Sequence, residues 1–126
     1  MKLERVKIIE SDNPTPSGRI YPASVVEKMY KKIAAAGPHE RFGEMGMPEA
    51  HTVDLSNVAF VYENPLLEDG ILYVDINILE TDKGNELKEI VDNVEFKTTG
   101  FGEVDENNII QDNYEMISIN AIPKTE

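Results

Sequence analysis

The chain has no cysteine. That excludes thiol catalysis, zinc–thiolate sites and a fold stapled by disulfides, and makes a disulfide-stapled secreted module an unpromising class. Histidine is nearly missing as well, with His39 and His51 the two copies. Neither has a histidine partner at helical spacing, so they make a poor metal pair, and no metal or cofactor is expected. Basic residues are scarce: 12 Lys and Arg stand against 24 Asp and Glu, for a net charge of −12. Such a surface repels phosphate backbones, so nucleic acid is not an expected partner. No apolar run approaches the ~20 residues that span a bilayer, and the charged, alternating start Met1 to Glu10 does not read as a signal peptide. The expectation is a protein made and kept in the cytoplasm, with no membrane partner, unless it leaves on a larger particle.

What is present fits one folded domain over residues 1–126. A chain of this size buries roughly two-thirds of its unfolded surface without help from metals or crosslinks. Its acidic residues are spread along the sequence rather than massed in a tail, which suits a soluble folded surface. Val6, Ile8 and Ile9 among charged residues read as a first strand within Arg5 to Glu10. Ser11 to Gly18 is a run of turn formers with two prolines, Pro14 and Pro16, and reads as a loop.

A helix is expected from Pro22, placed at the first helical position, to the stop at Gly37-Pro38. Val25, Val26, Met29, Tyr30 and Ile33 form its apolar stripe, with lysines elsewhere on the helix. Val58 to Tyr62 reads as a strand, Pro65 to Gly70 as a turn, and Ile71 to Leu79 as a half-buried strand. In the last of these Leu72, Val74, Ile76 and Ile78 share one face. A second helix follows Asp82 with Leu87, Ile90 and Val91 as its buried edge. Glu95 to Val104 and Tyr114 to Ile122 read as strands joined by a polar segment. The sum is a single α+β domain.

Residue types alone point weakly to chemistry. His39 follows a helix end and His51 sits in Pro48-Glu49-Ala50-His51-Thr52; both read most simply as exposed loop residues. Acidic pairs such as Glu44 with Glu49, or Asp75 on a polar strand face, are expected by chance in so acidic a chain. Gly100-Phe101-Gly102 lacks the spacing and the lysine of a P-loop. It reads better as a glycine-permitted bend or bulge in a strand.

Taken in order, three segments resemble the prohead (capsid-maturation) serine proteases of T-even-like tailed phages. Gly18-Arg19-Ile20-Tyr21-Pro22, entering a helix, is similar to the family's basic-Leu/Ile-Tyr-Pro. Gly43-Glu44-Met45-Gly46-Met47-Pro48 is similar to its Gly-Glu-Leu-x-His-Pro. Phe96-Lys97-Thr98-Thr99-Gly100-Phe101-Gly102 is similar to its Val-Ser-Ser-Arg-Gly-x-Gly. The strand-turn-strand, the helix opening Asp82 to Lys88 and a closing strand Ile117 to Pro123 also fit in order, so the resemblance covers roughly residues 12 to 123. It implies an antiparallel β-barrel flanked by two helices, related to the herpesvirus assemblins.

The departures from that pattern carry the functional expectation. The family's catalytic histidine falls on Met47, which neither accepts nor delivers a proton. Its serine falls on Lys97 or Thr98, depending on which serine of the pair is aligned. Acyl transfer needs a nucleophile and a base within reach of each other, so the resemblance implies a pseudoprotease. The expected role is a capsid-associated structural protein of the virion, a decoration or cement protein bound to the phage major capsid protein, with self-association also open. Candidate contact residues are Asn13, Pro14, Pro16, Arg19 and Tyr21 in the proline-rich loop and Pro123 in the tail. Two alternatives stand beside this: an active maturation protease using Thr98 or Thr99 with His51 as base, or an internal prohead scaffold component.

Overall fold

The computed structural model describes residues 1–37, 40–46 and 53–124. Six strands and two longer helices follow one another as β1 (Lys2–Glu10), α1 (Ala23–Ala35), β2 (Phe42–Met45), β3 (Val58–Glu68), β4 (Ile71–Ile78), α2 (Asp82–Ile90), β5 (Val94–Phe101) and β6 (Glu115–Pro123). The strands form one sheet in the order β1-β4-β3-β2-β6-β5. The edge strands β1 and β5 approach each other, so the sheet curls into a half-barrel with an open seam. The fold is α+β, as the sequence suggests. One pairing departs from the antiparallel barrel expected there: β2 runs parallel to β6 through Glu44↔Asn120 and Met45↔Ala121.

Side-chain period explains the core. In β4 the alternate residues Leu72, Val74, Ile76 and Ile78 are buried, the pattern of a strand with one face on the core. Helix α1 buries Val25, Val26, Met29 and Ile33, one stripe at helical spacing. Pro22 stands one position earlier than expected. It is the N-cap, extended at φ −61°, and its carbonyl accepts from Val25 N–H and Val26 N–H. Inside the curl Phe60 meets Phe96 edge to face, with ring centroids 5.1 Å apart. Gly43 lets that ring in, since a Cβ there would lie 2.1 Å from it.

In α2 the Thr81 hydroxyl caps the first turn, accepting from Gly84 N–H at 3.0 Å. Leu87 is its buried anchor, whereas Ile90, expected at the buried edge, is 41 % exposed because the helix ends there. The turn expected over Pro65 to Gly70 shrinks to Asp69-Gly70, because β3 continues to Glu68. Pro65 fits inside the strand because the β3/β4 register slips between Glu63 and Leu66, where a missing N–H breaks no ladder bond. Asp75, read in sequence as a solvated charge, ties two such irregularities together. Its carboxylate accepts from Arg5 N–H at 2.9 Å and from Asn64 Nδ2–H at 2.9 Å, one at the bulge in β1 and one at the bulge in β3.

Candidate functional site

The seam between β1 and β5 is a groove of about 630 Å³. Lys7, Ile8, Ile9 and Glu10 form one wall, and Glu95, Phe96, Lys97 and Thr98 the other. Its end is closed by the proline-rich segment, with Asn13, Pro14, Pro16, Arg19 and Tyr21 all on the lining. Five of the six candidate contact residues therefore converge on one groove, together with Lys97 and Thr98, the two positions on which the resemblance places a nucleophile. The sixth, Pro123, is exposed at the end of β6 and lies off this lining, although its neighbour Ile122 is on it.

The proline-rich segment is a built turn. Asp12 N–H bonds the Tyr21 carbonyl, Thr15 N–H bonds that of Arg19, and Gly18 N–H bonds that of Thr15. Ile20 then exchanges backbone bonds with the segment between β5 and β6, donating to Asn108 at 2.8 Å and accepting from Ile110 at 2.8 Å. That second segment folds on Asp105, whose carboxylate accepts from Asn107 N–H and Ile109 N–H as an Asx turn. Tyr21 is consequently a core residue, 8 % exposed, with its ring edge-on to Tyr114 at 5.5 Å. It shapes the groove floor rather than reaching outward as a free contact.

At Lys97 and Thr98 the side chains are engaged. The Lys97 ammonium pairs with the Glu95 carboxylate at 3.1 Å. Thr98 hydrogen-bonds the Tyr114 phenol, whose proton affinity is pushed well up by burial and by the neighbouring Tyr21. A phenol held neutral in this way is no base for the threonine hydroxyl. The Met47 position, His39 and His51 lie outside the described residues, so the base side of the alternative constellation has no geometry to report.

Thr99 turns the other way. Its hydroxyl bonds Asn120 Oδ1, which also accepts from the Ser118 hydroxyl at 2.9 Å, while Asn120 Nδ2 donates to the Gly46 carbonyl at 2.9 Å. Beside Asn120 in the parallel pairing stands Glu44, 2 % exposed, with Asn57 Nδ2 3.4 Å from Oε1. Thr98 and Thr99 therefore serve two separate sites. The reading of Gly100 as a strand bulge holds: the β5/β6 register slips between Thr99 and Gly100. A Cβ on Gly100 would stand 2.3 Å from the Glu115 carbonyl.

Sequence reasoning missed Ser118, Asn120 and Tyr114 as members of these sites. Ser118 and Asn120 alternate with Ile117, Ile119 and Ala121 in a segment read only as a strand, and they are 0 % and 1 % exposed. The one local hint was Glu44, inside a segment already singled out by its resemblance.

No protein-family model and no curated protein sequence matches the chain at a significant level. Among solved structures the chain is similar to the bacteriophage T4 capsid assembly protease, gp21, at a TM-score of 0.83 and 16 % identity. The match covers 99 % of this chain and 92 % of that one. The half-barrel with its two helices is thus the fold of a phage capsid assembly protease over nearly its whole length.

Proposed function

We propose that this protein is a proteolytically silent member of the prohead-protease architecture that works as a capsid-associated structural protein, bound to the phage major capsid protein as decoration or cement. The observation that carries the reading is the state of positions 97 and 98. Where the family pattern calls for a nucleophile, one side chain is an ammonium paired with Glu95 and the other is a hydroxyl bonded to a neutral phenol. Neither arrangement activates an attacking group, which needs an adjacent base or a depressed pKa. The groove's mixed apolar and charged lining suits a segment of coat protein held without cleavage. The acidic exterior suits a particle surface facing solvent rather than one facing packaged DNA.

The test is the copy number of the protein in purified mature particles, measured by quantitative mass spectrometry against the major coat protein. A fixed ratio with the chain intact is expected. Presence in proheads and absence from mature particles would defeat decoration and favour an internal scaffold component. Cleavage of coat or scaffold protein on incubation, lost in Thr98→Ala or His51→Ala, would establish the atypical protease instead.

A further inference from the structure

Glu44 presents an electrostatic problem that the groove does not solve. It is 2 % exposed, and of its two carboxylate oxygens Oε2 has no hydrogen-bond partner among the described residues. The other oxygen has one long contact, 3.4 Å, to the neutral Asn57 amide. A carboxylate taken out of water with so little compensation is costly, and it calls for a positive charge or a proton. The ordinary remedy, a lysine or arginine, is missing: no salt bridge to Glu44 exists among the described residues.

Across the β2/β6 pairing its neighbour is the uncharged Asn120 amide, and the Lys97 ammonium on the far side of Asn120 pairs with Glu95 instead. Residues paired across adjacent strands rise from the same face, which sets Glu44 beside Asn120. Asn120 Oδ1 gathers the hydroxyls of Thr99 and Ser118 about itself, and the Gly46 carbonyl closes the same neighbourhood through Asn120 Nδ2. Hard oxygen donors of this kind are what hard cations bind, in place of their hydration shell. With one carboxylate in the set, one positive charge balances it. A dication would leave a net charge buried, at the cost that opposes any uncompensated interior ion.

We infer that the Glu44 carboxylate and the Thr99 and Ser118 hydroxyl oxygens, which Asn120 holds in place, form an oxygen site for a monovalent alkali cation, Na⁺ or K⁺, which ties β2 to the β5/β6 pair. This inference stands apart from the functional reading above and does not depend on catalysis or on a virion.

Because such a cation binds the folded state alone, it raises the unfolding midpoint as its concentration rises, until the site saturates. The experiment compares denaturant unfolding of the full chain in choline, sodium, potassium, magnesium and calcium chlorides at equal ionic strength. The expected result is a saturating increase in midpoint in sodium or potassium over choline, abolished in Glu44→Gln, which keeps the shape and removes the charge. Thr99→Val supplies a second variant should Glu44→Gln not fold; its half-saturating concentration is expected to rise several-fold. Equal midpoints in choline, sodium and potassium would overturn the inference and leave a protonated Glu44 as the remedy. An unchanged response in Glu44→Gln would overturn it too, and so would a Glu44-dependent rise in the divalent salts alone.

Discussion

Thr98 and Thr99 are neighbours in sequence and end in opposite surroundings. On one side of β5, Thr98 faces a groove with open space and a phenol for a partner. On the other, Thr99 joins a polar network with Ser118 and Asn120, both buried, and the buried Glu44 stands beside Asn120. The groove side can lose a group and let water take its place. The network side cannot, because each buried donor or acceptor left alone costs about 1–3 kcal/mol. One strand thus carries a surface where change is cheap for the fold and a face where it is expensive. Substitutions on the first can therefore leave the second, the joint between β2 and β6, intact.

The sharpest way to break this comparison is at Asn120. Asn120→Leu removes the acceptor of two hydroxyls and the donor to Gly46. It is expected to destabilise the protein by about 3 kcal/mol or more, since several buried groups lose partners together. Chemical denaturation measures it, and a loss as small as that of a surface change would refute the distinction drawn between the two faces.

A second test uses Tyr62, which is 2 % exposed and hydrogen-bonded to the backbone of Ile119, between the two network residues of β6. Burial raises the Tyr62 phenol from 10.0 to about 12. The folded chain therefore holds its proton more tightly than the unfolded chain does. The stability it contributes is fully present below the unfolded value and is lost as pH rises from there through the folded value. A shift of this size corresponds to stability on the order of 2 kcal/mol. Tyr62→Phe is expected to flatten that alkaline decline in a pH series of denaturation curves, with Tyr114 accounting for part of what remains.

How much of this could be read from sequence follows the same division. Elements whose signal is local were legible: the alternation of β4, the stripe of α1, and the glycine-marked slip in β5. Strand β2 was not, because four residues punctuated by Gly43 and bounded by Gly46 carry no period, and its place is set by distant partners in β3 and β6. The proline-rich segment was legible as a loop but not as a bonded turn, since its anchors Asn108 and Ile110 lie far along the chain. Ser118 and Asn120 were missed for the same reason. Alternation with isoleucine announces a polar face, and only the packing of other elements decides whether that face meets water. The groove's wall at positions 97 and 98 was reached through resemblance rather than from periodicity.

On the groove side the expected effects are smaller, and they separate fold from function. Thr98→Val leaves the Tyr114 phenol without that hydroxyl partner. Its expected cost is about 1 kcal/mol, the net worth of one ordinary hydrogen bond. Lys97→Ala removes an ion pair whose side chains are 31 % and 29 % exposed, so screening leaves about 0.5 kcal/mol or less at stake. These small values are what make the two variants useful. A protein that folds normally with Lys97→Ala yet binds capsids less tightly, in a sedimentation assay with purified particles, assigns Lys97 to the docking surface. If Lys97→Ala and Thr98→Val both bind as the wild type does, the wall formed by β5 is not the contact, and the exposed end of β6 at Pro123 becomes the place to test next. A loss of stability at Thr98 as large as that at Asn120 would erase the contrast between the two faces of β5.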